Sequence, residues 1–277
     1  MRKRKLRYKI LITLGILLIC LYSLLPIFWV LSTSFKQPDV IFSDPPQWIP
    51  KNPTFDNYQT VIQNPAMIQY FKNTVIISLS STVLSVVIAV LAAYGFSRYK
   101  FRGRSVFLGM FLFSRILPRV SLILPFFIIL RNIRLLNTHL GMIIVYIIIG
   151  LPITIWLAKG FFDKIPIEIE ESAILDGCGP LTILLRIIVP ISAPAIGAIA
   201  MYAFILAWNE LLLALILTLD ISTQTISIGL SYYKLEFGIS WGNLMAGSVL
   251  MSIPAVIVFI FFQKSLVDGL TAGSVKE

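Results

Sequence analysis

The sequence predicts an all-α integral membrane protein with six transmembrane helices, on three observations. Hydrophobic residues make up 57% of the 277-residue chain and charged residues only 13%, and the mean hydropathy is +0.88. Soluble domains are roughly 45–50% apolar and about 25% charged. The apolar residues form blocks of about the twenty residues that a helix needs to cross a bilayer. Lysine and arginine are concentrated in alternate connections between these blocks. A soluble globule and a disordered chain are both excluded.

The six blocks are delimited by their lack of charge. Uncharged stretches of 26, 25, 24 and 27 residues define the first, second, fourth and sixth blocks, while the third carries Arg115 and Arg119 and the fifth carries Glu210. Pro118 and Pro125 predict that the third span is broken and interior, because interrupted helices in a membrane line a cavity or pack on protein. We therefore predict one membrane domain, 1–277, with spans at 10–33, 73–97, 105–130, 136–158, 193–219 and 243–263.

The charges of the connections predict the direction of the chain. With the N-terminus inside, 15 lysines and arginines lie on the cytoplasmic side and 6 on the outside, as the positive-inside rule requires. We predict a multi-pass protein of the cell (plasma or inner) membrane with both termini cytoplasmic. The basic residues behind the net charge of +10 lie between apolar blocks, where they are expected to orient the chain in the membrane. Lipid is therefore the expected surroundings, and nucleic acid is not an expected partner. The apolar run that follows the basic N-terminus is too long for a signal peptide, which predicts a retained first span.

Two connections between spans are long. The outside connection, 36–71, contains six prolines and is expected to be an extended loop without a core of its own. The inside connection, 159–190, predicts two short helices that meet at a sharp corner, with Gly177 as a left-handed cap and Pro180 opening the second helix. Ser172 and Ala173 are small enough to let another surface approach the first helix closely. On spacing alone, a plain interfacial hairpin that joins spans four and five explains this corner equally well.

A resemblance to a known family bears on the inside connection. Glu171-Ser172-Ala173, followed by Asp176-Gly177 and then by Ile-Val-Pro at 188–190, resembles the EAA motif of permease subunits of ATP-binding-cassette importers. Ser172 stands where the family usually has alanine, and Cys178 replaces a usual small residue. Further segments resemble the carbohydrate-importer permeases of the maltose-transporter inner-membrane type; they are 124–126, 135–138, 156–162, 207–210 and 269–276.

The resemblance implies a type I ABC importer permease fold in which the cytoplasmic loop 163–190 carries a coupling helix. It implies that an ATPase is contacted by Glu171, Ser172, Ala173, Asp176 and Gly177. It also implies that a C-terminal tail reaches into the ATPase dimer; this tail comprises Gly269, Leu270, Thr271, Ala272 and Gly273. The alternative for the tail is a frayed polar end.

The resemblance also implies the partners and the function. The partners are a second, unlike permease, a homodimeric ATP-binding subunit and an extracytoplasmic sugar-binding protein. The chain has no G-x-x-x-x-G-K-[ST] sequence, so the partner ATPase is expected to bind ATP and Mg²⁺, and this chain is expected to bind no cofactor or metal. The predicted function is therefore that of a transport subunit rather than an enzyme. It translocates a sugar by alternating access.

Polar residues in the fifth span are candidates for the sugar path. A carboxylate inside a bilayer is expected to face protein or water, and an indole followed by an amide and a carboxylate is typical of sugar recognition. We therefore predict that Trp208, Asn209 and Glu210 border the path. The alternative is that Glu210 is a structural ion-pair partner of Arg115 or Arg119 and that Asn209 is a packing amide.

Two other functional classes remain open from the residues alone. An ion-driven secondary transporter would have inverted repeats and interior proton-relay acids. A membrane-embedded enzyme that holds a metal at Asp176 would need several carboxylates converging on one point. The neighbouring glutamates instead spread around a helix.

Overall fold

In a computed structural model, the protein is described for residues 2–234 and 239–271, with side chains described for 9–234 and 239–264. This part of the chain is helical and contains no β-strand, so the predicted all-α class is confirmed. Its helices are α1 (Arg2–Ser34), α2 (Asp56–Gln63), α3 (Pro65–Arg98), α4 (Arg104–Phe113), α5 (Arg119–Asn132), α6 (His139–Phe162), α7 (Glu168–Leu175), α8 (Pro180–Ile191), α9 (Ala193–Trp208), α10 (Leu212–Leu217), α11 (Ile226–Tyr232) and α12 (Trp241–Thr271).

Four of the described helices are long and apolar enough to cross a bilayer. They contain the predicted first, second and sixth spans and all but the first three residues of the predicted fourth; their apolar stretches are Lys9–Ser34, Pro65–Arg98, His139–Phe162 and Trp241–Lys264. The predicted third span is broken, as expected, into α4 and α5, and Pro118 precedes the first residue of α5. Within this chain α4 buries no residue and α5 buries only Leu130, while Ile123, Phe126 and Phe127 of α5 pack against an apolar cluster. That this span is interior stays a prediction.

The predicted fifth span, 193–219, is also divided. α9 ends at Trp208 and α10 begins at Leu212. The division has a local cause, since the Glu210 carboxylate accepts hydrogen bonds from backbone N–H groups of the new helix. α8 contains a π-helical turn at Leu184–Ile188 and bends by 83° from α9. The described residues therefore hold four continuous apolar spans, or five if α8 and α9 form one bent span.

The described residues form two compact units, the first comprising 2–68 with 229–253 and the second comprising 69–228 with 254–271. In the first unit, the Asn57 side chain on α2 donates hydrogen bonds to the carbonyls of Ser34 and Lys36, at 3.0 and 2.9 Å. Gly242 approaches so closely that a Cβ there would lie 2.5 Å from Asn57 Oδ1. The expectation of a connection without its own core is therefore wrong at α2, which forms in a proline-free stretch and buries Asn57 and Val61.

The second unit contains two apolar clusters. One cluster is built around α6 by side chains of α3, α5, α9, α10 and α11. The other joins α3, α6, α7, α8 and α9, and it includes Tyr94, Phe162, Ala173 and Ile199. The short helix α7 is thus fixed to the bundle by apolar packing, and this places the candidate site at one end of the second unit.

Candidate functional site

The corner of the loop 163–190 is built as its sequence predicts. α7 carries three glutamates in its first turn, where the helix dipole favours negative charge. Gly177 follows α7 with φ = 82°, a conformation that disfavours residues with a Cβ. Its N–H donates to Ile174 O, and the N–H of Cys178 donates to Ala173 O, each at 2.9 Å. These two bonds are those of a Schellman cap, and Pro180 then begins α8.

Glu170 anchors α7 to the end of α3. Its side chain is buried, and its carboxylate forms an ion pair with Arg98. Tyr94, one turn earlier on α3, donates its hydroxyl to the other carboxylate oxygen at 2.9 Å. Arg98 also donates to Ile165 O at 3.1 Å. Both charges are thus removed from water and matched, which fixes one short helix to one long helix.

A second polar contact lies beside the anchor. Asp163 follows the last residue of α6 and accepts hydrogen bonds from Ser97 on α3 and from Lys159 on α6. Burial acts to raise the pKa of Asp163, but the bonds from Lys159 and Ser97 outweigh it and hold this pKa below its ordinary value. The carboxylate is therefore ionised at neutral pH and ties the start of the loop to α3.

The predicted ATPase-coupling residues divide between two faces of the corner. Glu171, Ser172, Asp176 and Gly177 are exposed, and the Ser172 hydroxyl donates back to Glu168 O. Ala173 is buried in the chain's own apolar cluster, so its small size serves packing within this chain. The exposed face continues in two apolar side chains, Ile174 at 59% and Leu175 at 89% exposure. Sequence reasoning missed both, and also missed Glu170.

The predicted C-terminal tail lies at the limit of the described residues. Gly269, Leu270 and Thr271 belong to the last turn of α12, and their side chains are not described. Ala272 and Gly273 lie outside the described residues.

The three predicted path residues occupy the division between α9 and α10. Trp208 is buried and stacks on Phe204, with ring centroids 5.2 Å apart. Asn209 is exposed, and its amide donates to Ile205 O at 3.0 Å. Glu210 is buried, and one carboxylate oxygen accepts from the N–H groups of Leu213 and Ala214, at 3.0 and 3.3 Å. The structure therefore gives Glu210 backbone partners, and among the described residues it forms no ion pair with Arg115 or Arg119.

The opposite end of the second unit holds a network that sequence reasoning did not identify. Asn137, in a left-handed conformation with φ = 57°, donates to Asp220 and accepts from Leu219 N–H and the Thr223 hydroxyl. Hydrogen bonds from Ser222 and Asn137 lower the pKa of Asp220.

Asn73 of α3 lies at this same end of the second unit and completes the network. Its amide donates to the carbonyls of Ile221 and Gln224, at 3.0 and 2.8 Å, and its oxygen lies 3.0 Å from His139 Nε2. His139 thus has a specific partner. The segment between α10 and α11 is held by side chains from two other parts of the chain.

Metal chemistry has no support in the described part of the chain. Within it, no three histidine, cysteine, aspartate or glutamate side chains are grouped closely enough to hold a metal ion. Around Asp176, the glutamate side chain of 170 turns into the bundle while those of 168 and 171 are exposed. The carboxylates therefore do not converge.

Comparisons with known proteins give relatives of nearly the same length. The diacetylchitobiose uptake system permease protein DasC of Streptomyces coelicolor is 35% identical over 251 residues, which cover 91% of this chain and 91% of that relative. The trehalose/maltose transport system permease protein MalG of Thermococcus litoralis is 34% identical over 279 residues, covering 100% and 99%.

The fold and the family follow from two further comparisons. A chain in the crystal structure of a bacterial ABC transporter involved in the import of the acidic polysaccharide alginate superposes with a TM-score of 0.80. It is 24% identical, and the match covers 94% of this chain and 96% of that chain, which supports the fold. Residues 85–271 match the family described as binding-protein-dependent transport system inner membrane component. A match over more than half of the sequence, together with relatives of this similarity, shows that the chain belongs to this family of multi-pass membrane transport components.

Proposed function

We propose that this chain is one permease subunit of an ATP-driven importer, and that it translocates a sugar delivered by an extracytoplasmic binding protein. The family is one of transport components, so the chain is not an enzyme. The named relatives are permeases for diacetylchitobiose and for trehalose or maltose, which supports a sugar as the substrate class. Family membership favours this function over an ion-driven secondary transporter and over an enzyme that uses Asp176.

The proposal rests on the two faces of α7. One face, with Glu170 and Ala173, is fixed to the bundle by an ion pair and by apolar packing. The other face presents Glu171, Asp176 and the strongly exposed Leu175 to solvent. A short capped helix of this kind is suited to dock on a partner and to move with the bundle as one body. We assign Glu171, Ser172, Asp176 and Gly177 to the ATPase-facing surface, with Ala173 supporting it from behind.

The partners and the orientation follow from that assignment. A homodimeric ATP-binding subunit contacts the loop 163–190 and the C-terminal tail 269–273 on the cytoplasmic side, where both termini also lie. A second, unlike permease completes the transmembrane path. The binding protein docks outside. This chain binds no cofactor or metal, and ATP and Mg²⁺ are used by the partner subunit.

The mechanism is alternating access. ATP binding closes the partner's dimer and displaces α7, and the Glu170–Arg98 pair carries that displacement into α3. The contact of Asp163 with Ser97 adds a second connection to the same helix. Hydrolysis returns α7 to its first position. Trp208, Asn209 and Glu210 border the path in this scheme, with Asn209 the exposed member and Glu210 also holding the start of α10.

Reconstitution tests the coupling role. The chain is assembled with its partner subunits in proteoliposomes, and sugar uptake is measured with ATP or a non-hydrolysable analogue. We expect uptake only with ATP. Glu171→Lys is expected to reduce it at least tenfold, because it reverses the charge of an exposed side chain on the proposed docking face. Glu171→Asp, which keeps the charge, is the matched control.

Two results would remove the proposal. One is sugar uptake by this chain reconstituted alone, since the chain would then need no ATPase. The other is normal uptake by Glu171→Lys when the variant co-purifies with its partners in normal amounts. Loss of co-purification together with loss of uptake supports the docking role directly.

A further inference from the structure

In the predicted third span, the break between α4 and α5 places two arginines deep in the membrane. α4 has 10 residues and α5 has 14, which at 1.5 Å per residue rise about 15 and 21 Å. The hydrocarbon core is about 30 Å thick, so the break falls near its middle. Arg115 supports this depth, because its guanidinium donates to the carbonyl of Ile149 near the middle of α6. Arg119 begins α5 on the other side of the break.

Neither arginine forms an ion pair with an acid in the described part of the chain. Arg115 donates to two neutral acceptors, Ile149 O at 3.2 Å and the Tyr202 hydroxyl at 3.1 Å. Arg119 is exposed and forms no ion pair there. The charge of Arg119 acts on Glu210 through space, but the two side chains do not form an ion pair, and the Glu210 carboxylate is instead in contact with the backbone N–H groups of α10. A charged side chain at this depth is expensive unless it faces water, protein or a ligand.

Both arginines line one cavity. Its volume is about 220 Å³, which is below the roughly 300 Å³ at which drug-sized binding sites begin. The wall combines the two guanidinium groups with the Ser114 hydroxyl and with apolar groups that include Phe126 and Pro152. A space of this size is too small for an oligosaccharide and accommodates part of one, such as a single sugar unit or its charged substituent.

We propose that this cavity binds the anionic substituent of an acidic sugar as the sugar passes through the permease. The shared chemistry is that of a carboxylate, sulfonate or phosphate group, which a guanidinium binds through two parallel N–H donors. Arg115 is pre-oriented by its two neutral acceptors, and Arg119 supplies the second charge. The inference rests on the proposed import function and specifies its substrate class.

Cysteine accessibility tests the site with reagents whose reaction does not depend on which sugar is transported. Ser114→Cys is introduced into the assembled importer in a background with Cys20→Ala and Cys178→Ala. Modification by an anionic and by a cationic methanethiosulfonate reagent is followed by the mass of this chain. Gln63→Cys, exposed on α2, is the control position for the intrinsic rates of the reagents. Because potentials in charged clefts concentrate counter-ions about tenfold or more, we expect a preference of about tenfold for the anionic reagent at position 114, normalised to position 63.

Protection by sugars then tests ligand chemistry. Glucuronate is expected to slow modification of Ser114→Cys, and glucose, which has a hydroxymethyl group in place of the carboxylate, is not. Glucose 6-phosphate distinguishes a carboxylate site from a general anion site. Arg119→Gln is expected to reduce the reagent preference, because only the Arg115 charge remains, and to remove the protection. Arg119→Lys is expected to retain the preference and to lose the protection, because lysine lacks the two-donor geometry.

Three results would overturn the anion site. They are no modification of Ser114→Cys by either reagent, equal rates for the two reagents after normalisation, and protection by glucose equal to that by glucuronate. The last two would be the outcome if a carboxylate of the partner permease neutralises the arginines. Failure of the import function is distinguishable, because binding-protein-stimulated ATP hydrolysis would then be absent already with the wild-type chain, before any cysteine or arginine is changed.

Discussion

Removing the Glu170 carboxylate is expected to uncouple ATP hydrolysis from transport. Glu170→Ala leaves the Arg98 guanidinium buried without its counter-charge and removes the acceptor of the Tyr94 hydroxyl. Breaking a buried ion pair costs about 3–5 kcal/mol. Arg98 retains its bonds to Ile165 O and the Ser97 hydroxyl, so we expect the lower end of that range. About 3 kcal/mol corresponds to roughly a hundredfold change in the equilibrium between docked and undocked α7.

The assay measures ATP hydrolysis and sugar uptake in the same proteoliposomes. For Glu170→Ala we expect the number of sugar molecules moved per ATP to fall at least tenfold while hydrolysis continues. Glu170→Gln is expected to give a ratio of sugar moved per ATP between those of wild type and Glu170→Ala, because its amide oxygen still accepts one hydrogen bond. Glu168→Gln is the matched control, since this glutamate lies two residues earlier on α7 and is exposed. It is expected to keep the wild-type ratio.

The reasoning would be refuted by a wild-type ratio in Glu170→Ala with normal assembly of the complex. The exchange variant, Arg98→Glu with Glu170→Arg, separates charge pairing from packing. Partial recovery of the ratio relative to each single variant is expected if the pair transmits motion through its opposite charges. A role in packing alone would leave the double variant no better than either single one.

Three further variants test local features of the second unit. Gly177→Ala is expected to destabilise the complex by about 1–2 kcal/mol because alanine disfavours the left-handed conformation, whereas Gly179→Ala at φ −77° is expected to be neutral in thermal unfolding. Asn137→Ala is expected to speed hydrogen exchange in the segment after α10 by removing its hydrogen bonds, and the exposed Asn132→Ala is its control. The lowered pKa of Asp163 means that its contribution to stability is present above the unfolded pKa of about 3.9 and is lost as pH falls through the lower folded value. The stability difference between wild type and Asp163→Asn should therefore be full at pH 7 and shrink below about pH 4.

Features set by local chemistry are predictable from the sequence. The cap at Gly177 and the start of α8 at Pro180 depend on backbone preferences of single residues, and both are found. The break of the third span follows from Pro118 in the same way. The four uninterrupted spans follow from runs of uncharged residues long enough to cross a bilayer.

Features set by contacts distant in sequence are not predictable in this way. Glu170 and Arg98 are 72 positions apart, and nothing in the glutamate-rich start of α7 indicates which carboxylate turns inward. The small size of Ala173 predicts that it faces a partner, but small residues also permit close packing within a chain, and here it joins the chain's own cluster. Hydropathy predicts a continuous fifth span because it does not register a carboxylate that accepts hydrogen bonds from backbone N–H groups and starts a new helix.

α3 connects the two polar ends of the second unit. At one end Tyr94, Ser97 and Arg98 hold α7 and the start of the loop that contains it. At the other end Asn73 holds the segment between α10 and α11. The 26 residues from 73 to 98 rise about 38 Å as one helix and contain no proline, so in the proposed mechanism a displacement of α7 is expected to reach the opposite end of α3 without a proline hinge. The interrupted segments, α4–α5 and α9–α10, instead carry Arg115, Arg119 and Glu210. In the proposed mechanism, the continuous helix α3 therefore transmits motion, and the broken helices carry the polar side chains of the predicted third and fifth spans.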